Sequence, residues 1–509
     1  NIDASSGAAV SVIGKGDTNI ELNGNNTLTS GSSHAGLEHN KTNDSGTLTI
    51  TDNNNDGKLT AKATGDYGAG IGGGNGYNGQ VTITGGEITA KGGFNGAGIG
   101  GGNYGNGTVT ISGGTITEAS GGGNMAAGIG GGRFGDSEII IKDKAVIENA
   151  KGSANGAGIG SGYQGLGTVT IEGNAVIKNA QGGASGAAGI GGGTLGIGNV
   201  TIKDNAQIGN AIGGEEGAGI GGGALGTGDV TIEGNVTIEN AQGGAGAAGI
   251  GGGAEAEPDT EDTRNKVSIK STEAGSPNIT ATGGGACKNS HVSLPGAAAI
   301  GSGSVADGAT EVESDITIEG KVTINATGGG AIAIGDSVNG ETKFENLAGG
   351  TTIKRTDSNG KDVTQDGDVV AEPEKPAQPT VTPTEGAEAP STGSVEVERP
   401  VTVEGLSVTN VLGKQITHTC TQNGTTLTIR ANGIVTSAHL TLGMVRTLKA
   451  QGVKTLVFTT LLSRSTTVSV DALLAAEPDA PDEAAVVWAH TGPRAALTID
   501  GADHSALLK

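Results

Sequence analysis

Cysteine, aromatic residues and positive charge are all scarce in this chain of 509 residues. Its two cysteines, Cys287 and Cys420, are too few for a disulfide framework, and they fall in different predicted domains, so we do not expect them to pair. No run of about eighteen apolar residues occurs, which argues against a membrane span. The chain begins at Asn1 rather than at Met, which fits a processed, secreted protein.

Lys and Arg total 30 against 53 Asp and Glu, so the formal net charge is −23. A surface this acidic repels phosphate backbones and anionic lipid, and we therefore do not expect nucleic acid as a partner. The Gly-x-Ser-x-Gly, His-x-x-x-His and Cys-x-x-Cys motifs are also missing from the sequence. Serine-hydrolase and zinc-dependent chemistry consequently have no support.

Glycine is abundant, with 100 residues, but it does not recur at every third position, which excludes a collagen triple helix. Instead, the phrase Ala-Gly-Ile-Gly-Gly-Gly recurs, with small variations, about every thirty residues. Between its copies, Val and Ile alternate with polar residues at matched places, which disordered glycine-rich chains have no reason to do. A fixed period of this size is typical of a solenoid. The isoleucine of the phrase is Ile71, Ile99, Ile129, Ile159, Ile190, Ile220 and Ile250.

One repeat predicts three short strands separated by turns. Val109 and Ile111 alternate with threonine, so they face one side, and Ile116 and Ile129 supply two further inward positions. Aligned repeats give four aliphatic columns, of which the fourth is the isoleucine of the phrase, continued by Ile300 and Ile334. The other three columns are Val81, Val109, Ile139, Val169, Val200, Val230, Val267, Ile316; Ile83, Ile111, Ile141, Ile171, Ile202, Ile232, Ile269, Ile318; and Ile88, Ile116, Ile147, Ile177, Ile208, Ile238, Ile279, Ile324.

Strands from successive repeats must pair in parallel, so that identical inward residues stack into a continuous core. The predicted fold is therefore an all-β, right-handed parallel β-helix of about ten coils of about thirty residues. Weaker coils precede the regular ones, through Leu37 and Ile50 among others. At about 4.8 Å per coil, the rod is on the order of 50 Å long.

Two outward columns support this register. Lys142, Glu172, Lys203, Glu233 and Lys270 alternate in sign from coil to coil, which gives attractive pairs instead of a repulsive stack. A second column consists of Asn149, Asn179, Asn210 and Asn240, whose amides can hydrogen-bond along the axis. We interpret both columns as structural.

The repeat breaks after Ile250, where three insertions occur at about 254–265, 284–295 and 304–314. Insertions project from a solenoid wall and often form its binding surface, although they can equally protect the last coils from edge-to-edge association. The candidate ligand-binding residues here are Glu255, Glu257, Asp259, Arg264, Lys288 and His291.

Composition divides the chain into a β-helix over residues 1–361, a linker rich in Pro, Thr and acidic residues over 362–399, and a small α+β domain over 400–509. In the last domain, Asn423-Gly424 predicts a hairpin turn. A helix is predicted between an N-cap at Ser437 and a C-cap at Gly452. Trp488, the only tryptophan, is predicted to lie in the core.

Four aromatic residues, Tyr77, Tyr104, Phe134 and Tyr163, lie just after copies of the glycine phrase and form a candidate ligand-binding stripe. The alternative is that they merely cover a glycine-thin wall, since leucine replaces them in later coils.

The stretch Asp52-Asn53-Asn54-Asn55-Asp56-Gly57 matches the first half of a calcium-binding loop, with Asp52, Asn54 and Asp56 as candidate ligands. The acidic residue that closes such a loop is replaced by Ala63, so a simple polar turn is the alternative.

The alternation of Ala-Gly-Ile-Gly-Gly-Gly with Thr-Val-Thr-Ile-Ser-Gly-Gly resembles β-helical repeats in large surface proteins of Gram-positive bacteria, which have a pectin-lyase-like β-helix and are described as carbohydrate-binding or adhesin-like. The resemblance covers about residues 1–350 and transfers no functional residue. It implies an extracellular or cell-surface protein that binds a glycan or another host or cell-surface ligand. Because no residue constellation in the chain identifies a reaction, we expect this protein to be non-catalytic. A polysaccharide lyase or glycoside hydrolase on the same fold is the alternative, and a structural spacer or filament component is the third.

Overall fold

The computed structural model describes residues 1–65, 67–255, 264–288, 293–305, 313–335, 343–345, 347–365, 368–370, 399–401, 403, 405–410, 416, 418–431, 435–460, 464–478, 480–491 and 494–508. The chain forms two compact units, residues 1–378 and 379–509. The predicted linker falls mostly on residues 371–398, which lie outside the described residues.

The first unit is a parallel β-solenoid, as the repeat predicts, and each full coil contributes a strand to each of three sheets. Sheet 1, with 12 strands among the described residues, carries the first two aliphatic columns. It comprises Thr18–Glu21, Asn40–Lys41, Leu48–Thr51, Asn78–Ile83, Gly107–Ile111, Ser137–Ile141, Gly167–Ile171, Gly198–Asp204, Gly228–Gly234, Asn265–Lys270, Ser314–Glu319 and Lys343–Glu345.

In the described part of the chain, sheet 2 has 14 strands and carries the third column, and sheet 3 has 11 two-residue strands and carries the isoleucine of the phrase. Sheet 2 comprises Ile2–Asp3, Asn25–Ser30, Lys58–Ala63, Glu87–Phe94, Thr115–Gly122, Val146–Ile147, Ala150–Lys151, Val176–Gln181, Gln207–Ile212, Thr237–Gln242, Asn278–Thr282, Thr323–Thr327, Thr351–Thr356 and Val369–Val370. Sheet 3 comprises Val10–Ser11, Leu37–Glu38, Ile71–Gly72, Ile99–Gly100, Ile129–Gly130, Ile159–Gly160, Ile190–Gly191, Ile220–Gly221, Ile250–Gly251, Ile300–Gly301 and Ile334–Gly335. A separate hairpin pairs Cys287–Lys288 with Ser293–Leu294.

All four predicted columns are confirmed residue by residue. Val109 pairs in register with Val81 and Ile139, and Ile129 pairs with Ile99 and Ile159. The column residues are at most about 2% exposed, so they form one aliphatic core along the rod. Since burying one such side chain contributes about 1.5–3 kcal/mol, the stacked columns are the main source of stability.

The glycine that follows each isoleucine lets neighbouring coils approach closely. Gly130 and Gly160 have φ angles of 131° and 143°, a region that side chains rarely adopt. A Cβ atom on Gly130 would lie 1.9 Å from the carbonyl oxygen of Gly160 in the next coil. From Gly72 onward each of these coils approaches the next too closely for a side chain here, which explains why the phrase recurs.

Several polar side chains on the outer faces of the strands pair with a neighbour one coil away. In the charge column, Lys203 Nζ lies 3.0 Å from a carboxylate oxygen of Glu172, and Lys270 Nζ lies 2.9 Å from one of Glu319. The hydrogen bond and charge of Glu172 raise the pKa of Lys203. The predicted asparagine ladder also forms: Asn210 Nδ2 donates to Asn179 Oδ1 at 3.0 Å, and Asn240 Nδ2 donates to Asn210 Oδ1 at 3.2 Å.

A buried ion pair closes the C-terminal end of the solenoid. Arg355 occupies the inward position that Ala326 holds one coil earlier, and its guanidinium donates to both carboxylate oxygens of Asp368, at 2.8 and 2.9 Å. Arg355 is 2% exposed and Asp368 is fully buried. Val369–Val370 then adds an antiparallel strand to the edge of sheet 2.

The described residues of the second unit form two five-stranded sheets. One comprises Arg399–Val401, His418–Asn423, Thr426–Ala431, Thr455–Thr460 and Arg464–Ser469; the other comprises Ser407–Asn410, Val435–Thr441, Ala485–Thr491, Arg494–Ile499 and Ala502–Asp503. The predicted hairpin forms, and Trp488 is buried, as expected.

The predicted helix is present, but its boundary is wrong. Helix α1 spans Leu442–Ala450 with Thr441 as its N-cap, because the chain from Val435 to Thr441, including Ser437, extends a strand. Gln451 is its C-cap, and Gly452 follows with φ 90°. A second helix, α2, spans Val470–Ala476, and a 3-10 helix spans Ser505–Leu507; neither was predicted.

Candidate ligand-binding face

Each coil turns from sheet 3 into sheet 1 through the residues that lie four to seven positions after the recurring isoleucine. Tyr104 and Phe134, five positions after their isoleucines, have φ angles of 61° and 55°. The backbone N–H of Tyr104 donates to Arg133 O at 3.0 Å, so the turns of successive coils are stacked and bonded. We call the surface that these turns form the turn face.

Three aromatic rings lie against one another on the turn face. The ring centroids of Tyr104 and Phe134 are 5.7 Å apart in a stacked arrangement, and those of Phe134 and Tyr163 are 5.6 Å apart, edge to face. Tyr104 is 56% exposed and Phe134 is 38% exposed. The fourth predicted residue, Tyr77, is exposed but makes no ring contact with any residue that the structure describes. It lies six positions after Ile71, whereas Tyr163 lies four after Ile159, so the predicted stripe is staggered.

Arg133 packs its guanidinium onto this ring cluster. Its Cζ atom lies 4.6 Å from the centroid of the Phe134 ring and 5.4 Å from that of Tyr104, a cation–π arrangement. Its Nε is buried and has no hydrogen-bond partner within the described ranges. The cluster therefore combines flat apolar surface with an adjacent cation.

Buried amides lie beside the rings. The side chains of Asn95 and Asn103 are 3% and 4% exposed, and neither Oδ1 atom has a partner among the described residues. Asn103 Nδ2 donates to Asn75 Oδ1 in the preceding coil at 3.1 Å, and Asn95 O accepts the backbone N–H of Arg133 at 3.0 Å. Because an unpaired buried acceptor costs about 1–3 kcal/mol, these two oxygens are unlike the satisfied amides of the strand faces.

A buried carboxylate lies next to the N-terminal turns. Glu38, which is 5% exposed, accepts from Ala35 N at 3.1 Å and contacts Nδ1 of His34 at 2.8 Å. Its other oxygen accepts from Asn40 Nδ2. The sequence analysis did not predict the contact between His34 and Glu38 or the burial of Asn95 and Asn103. A signal was available, because Glu38 occupies the place of the glycine that follows isoleucine in later coils.

Farther along the rod the turn face becomes aliphatic and then acidic. Leu195 and Leu225 replace the rings, and Leu225 is 40% exposed. Glu255 continues the same column, and its turn lies beside Glu216, whose carbonyl oxygen accepts from Ala254 N. Burial, and after it the charges of Glu255 and Glu215, raise the pKa of Glu216. The turn face thus has a cation among its rings and clustered carboxylates farther on.

Among the predicted insertion residues that the structure describes, Glu255 lies on the turn face. Glu257, Asp259 and His291 lie outside the described residues. Arg264 forms ion pairs with Glu313 at 2.8 Å and Asp315 at 3.6 Å, so acidic side chains already balance its charge. The backbone of Lys288 pairs with that of Ser293 in the separate hairpin.

The predicted calcium ligands lie in a polar turn that is held together by its own hydrogen bonds. The carboxylate of Asp52 accepts backbone N–H groups from Asp56 at 3.3 Å and Gly57 at 3.0 Å. In the described part of the chain, no group of three His, Cys, Asp or Glu residues is placed to hold a metal ion. Calcium binding through Asp52, Asn54 and Asp56 stays a prediction.

Comparison with known proteins supports the architecture alone. A family model described as a β-helix repeat matches residues 55–75, 81–103 and 109–133. Asn103 and Arg133 are the last residues of the second and third segments, and Tyr104 lies between these two segments. No curated protein and no solved structure shows a significant match to the chain. Across the described residues, no helix is long and apolar enough to cross a membrane.

Proposed function

We propose that this protein is a non-catalytic, extracellular or cell-surface rod that binds a glycan through its turn face. The observation that carries the proposal is the contiguous cluster of Tyr104, Phe134 and Tyr163, with Arg133 packed on it. A chain with so few aromatic residues places three of them in contact where water reaches two of the rings. An exposed apolar cluster with a polar rim is typical of an interaction site.

The chemistry of the cluster suits a sugar. A pyranose ring presents C–H groups on its flat face and hydroxyl groups around its edge. The stacked rings of Tyr104 and Phe134 offer a complementary apolar surface, and the Arg133 guanidinium offers hydrogen-bond donors beside it. Because the turns are bonded from coil to coil, the rings are held in place before a ligand binds, which lowers the entropic cost of binding.

Binding is favoured over catalysis because of where the carboxylates are. A glycosidase needs two carboxyl groups that flank the scissile bond, and a lyase needs a basic residue beside a charge-neutralising partner. On the strand faces, Glu172 and Glu148 are each ion-paired with a lysine, so they serve the fold.

A glycan array tests the proposal, combined with assays for new reducing ends and for unsaturated products. We expect the intact chain to retain one or more glycans and to release no product. Phe134→Ala should weaken binding about tenfold, which corresponds to about 1.4 kcal/mol. Leu225→Ala, which truncates an exposed residue of the same turn column, is the matched control and should bind normally.

Two results would contradict this function. Product release from a polysaccharide would show that the rod is an enzyme. Silence in both the array and the product assays would favour a structural spacer or filament component.

A further inference from the structure

Lysines stack on one another at the end of the sheet 2 strands. One outward position of successive coils is held by Lys62, Lys91, Ser120, Lys151 and Gln181, which pair in register one after the next. Lys62 and Lys91 are therefore direct neighbours, about 4.8 Å apart along the axis. Both side chains are exposed, as is that of Lys151.

This column breaks the charge pattern of the other strand faces. On the same two strands, Lys58 forms an ion pair with Glu87 at 2.6 Å, only four residues before Lys62 and Lys91. Like charges placed directly opposite each other on neighbouring strands are destabilising. No ion pair neutralises Lys62, Lys91 or Lys151 among the described residues, although acidic residues outnumber basic ones in the chain.

Lys91 and Lys151 border a groove of about 510 Å³ that spans several coils. Ser120 and Gln181 contribute polar groups to its wall, and one carboxylate, that of Glu118, also lines it without an ion pair to either lysine in the described structure. The floor is made of glycines such as Gly182, where a Cβ atom would lie 2.0 Å from the carbonyl oxygen of Ala187. The groove is thus kept open by the packing of the coils beneath it.

We propose that this groove binds a segment of an acidic polysaccharide, whose carboxylate or sulfate groups pair with Lys91 and Lys151 and whose hydroxyls meet Ser120 and Gln181. The spacing of the lysines favours a sparsely charged polymer. Lys91 and Lys151 are two coils apart, about 10 Å, whereas double-stranded DNA carries one charge per about 1.7 Å. The net charge of −23 would repel so dense a polyanion much more strongly than it repels a sparse one.

This site is separate from the aromatic cluster of the turn face. The choice of a polysaccharide over other anionic polymers rests on the glycan-binding function proposed above. The two sites predict different variant effects, so either can fail without the other.

The test uses the full chain and alginate oligosaccharides, a polyuronate, in isothermal titration calorimetry at low and physiological salt. Methyl-esterified alginate oligomers keep the shape of the ligand without its charge, and κ-carrageenan oligosaccharides, which carry sulfate and no carboxylate, distinguish sulfate from carboxylate. We expect alginate or κ-carrageenan oligosaccharides to bind, the esters to bind at least about tenfold more weakly, and affinity to fall as salt rises.

The double variant Lys91→Gln/Lys151→Gln should lose about tenfold in affinity for the acidic ligand. Its melting temperature without ligand should be unchanged or higher, because a like-charge stack has been relieved; a purely structural role for the lysines would lower it. Lys178→Gln, which removes the same charge from an ion pair with Glu148, is the control and should bind normally.

Equal binding of the charged and esterified oligomers, or normal binding by the double variant, would overturn the proposal. Equal binding of a DNA duplex at the same lysines would overturn the ligand class. If the array detects a neutral glycan that depends on Phe134 while no acidic oligomer binds, the groove proposal fails and the turn-face function stands. If no glycan of either kind binds, both fail.

Discussion

The strand faces and the turn face of this solenoid use polar and aromatic residues in opposite ways. On the strand faces, Lys203 meets Glu172 and Asn210 meets Asn179, each one coil away. On the turn face, Asn103 keeps a buried acceptor without a partner among the described residues, as does Asn95 in the adjacent turn, and the rings of Tyr104 and Phe134 are exposed. A surface whose groups satisfy one another needs no ligand, whereas the turn face leaves two aromatic rings open to one.

The repeat constrains the inward positions and the turn positions of each coil differently. A fixed period requires the inward residues and the glycines to recur, because each must fit the coil before it. It places no such demand on the turn residues, which change from Asn and Tyr through Arg and Phe to Leu and Glu along one face. Function is therefore expected where the repeat tolerates change.

We expect the largest loss of stability from Gly160→Ala, which tests the structural role of the glycine phrase. A Cβ atom there would lie 1.9 Å from Gly191 O, at a φ of 143°. We expect the neighbouring coils to separate and the cooperative unfolding transition of the solenoid to be lost or strongly lowered. Circular dichroism during heating measures this, with Gly285→Ala, where the added atom meets nothing within 4 Å, as the control. A normal transition in Gly160→Ala would contradict the packing described here.

Arg355→Ala should be the next most damaging change, because it leaves the buried carboxylate of Asp368 without its charged partner. Breaking a buried pair typically costs about 3–5 kcal/mol. Hydrogen exchange should show the loss of protection concentrated in the last coils, near Ile353. Arg264→Ala, which removes an exposed ion-paired arginine, is the control and should change stability by less than about 1 kcal/mol. Equal effects of the two variants would show that the buried pair does not cap the rod.

Asn210→Ala removes the middle of the asparagine ladder and should lower the free energy of unfolding by about 1 kcal/mol. Phe134→Ala on the turn face should lower it less, because the ring is partly exposed and its neighbours can close over the gap. Urea titration of both variants measures the difference. The reverse order would indicate that the aromatic residues serve stability and the asparagines do not.

The smallest effect concerns the acidic end of the turn face. Burial and neighbouring carboxylates raise the pKa of Glu216 above its ordinary value of 4.5. The folded state then binds this proton more tightly than the unfolded state does. The contribution of Glu216 to the free energy of unfolding is therefore complete below about pH 4.5, and it is lost as the pH rises through the raised pKa. Glu216→Gln should raise the melting temperature at pH 7 and leave it unchanged near pH 3.5. An equal shift at both pH values would rule out this electrostatic origin.

Much of the solenoid could be predicted from the sequence because its period is local and repeated. The register of Ile129 with Ile99 and Ile159 follows from spacing alone, as do the charge and asparagine ladders. In the second unit, by contrast, Ser437 is a good N-cap by residue type, yet tertiary pairing draws it into a strand and moves the cap to Thr441. A single copy of an element offers no aligned neighbours to correct such an error.

The candidate site was only partly predictable. The aromatic residues stood out by their rarity, but their contact with one another depends on turns whose offsets differ by one residue, as Tyr163 and Phe134 show. Asn95 and Asn103 could not be chosen among the many asparagines without knowing which side chains the turns bury. The stacked lysines Lys62 and Lys91 required the register of sheet 2.

The most direct test of the contrast between the two surfaces is the affinity of one array-identified glycan for two double variants, measured by calorimetry. Tyr104→Ala/Phe134→Ala removes the stacked rings, and Glu172→Gln/Lys203→Gln removes a paired ladder step of the strand face. We predict that the first variant loses at least about tenfold in affinity while remaining folded, and that the second binds as the unmodified protein does. Retained binding by the first variant, or an equal loss in the second, would contradict the assignment of ligand binding to the turn face.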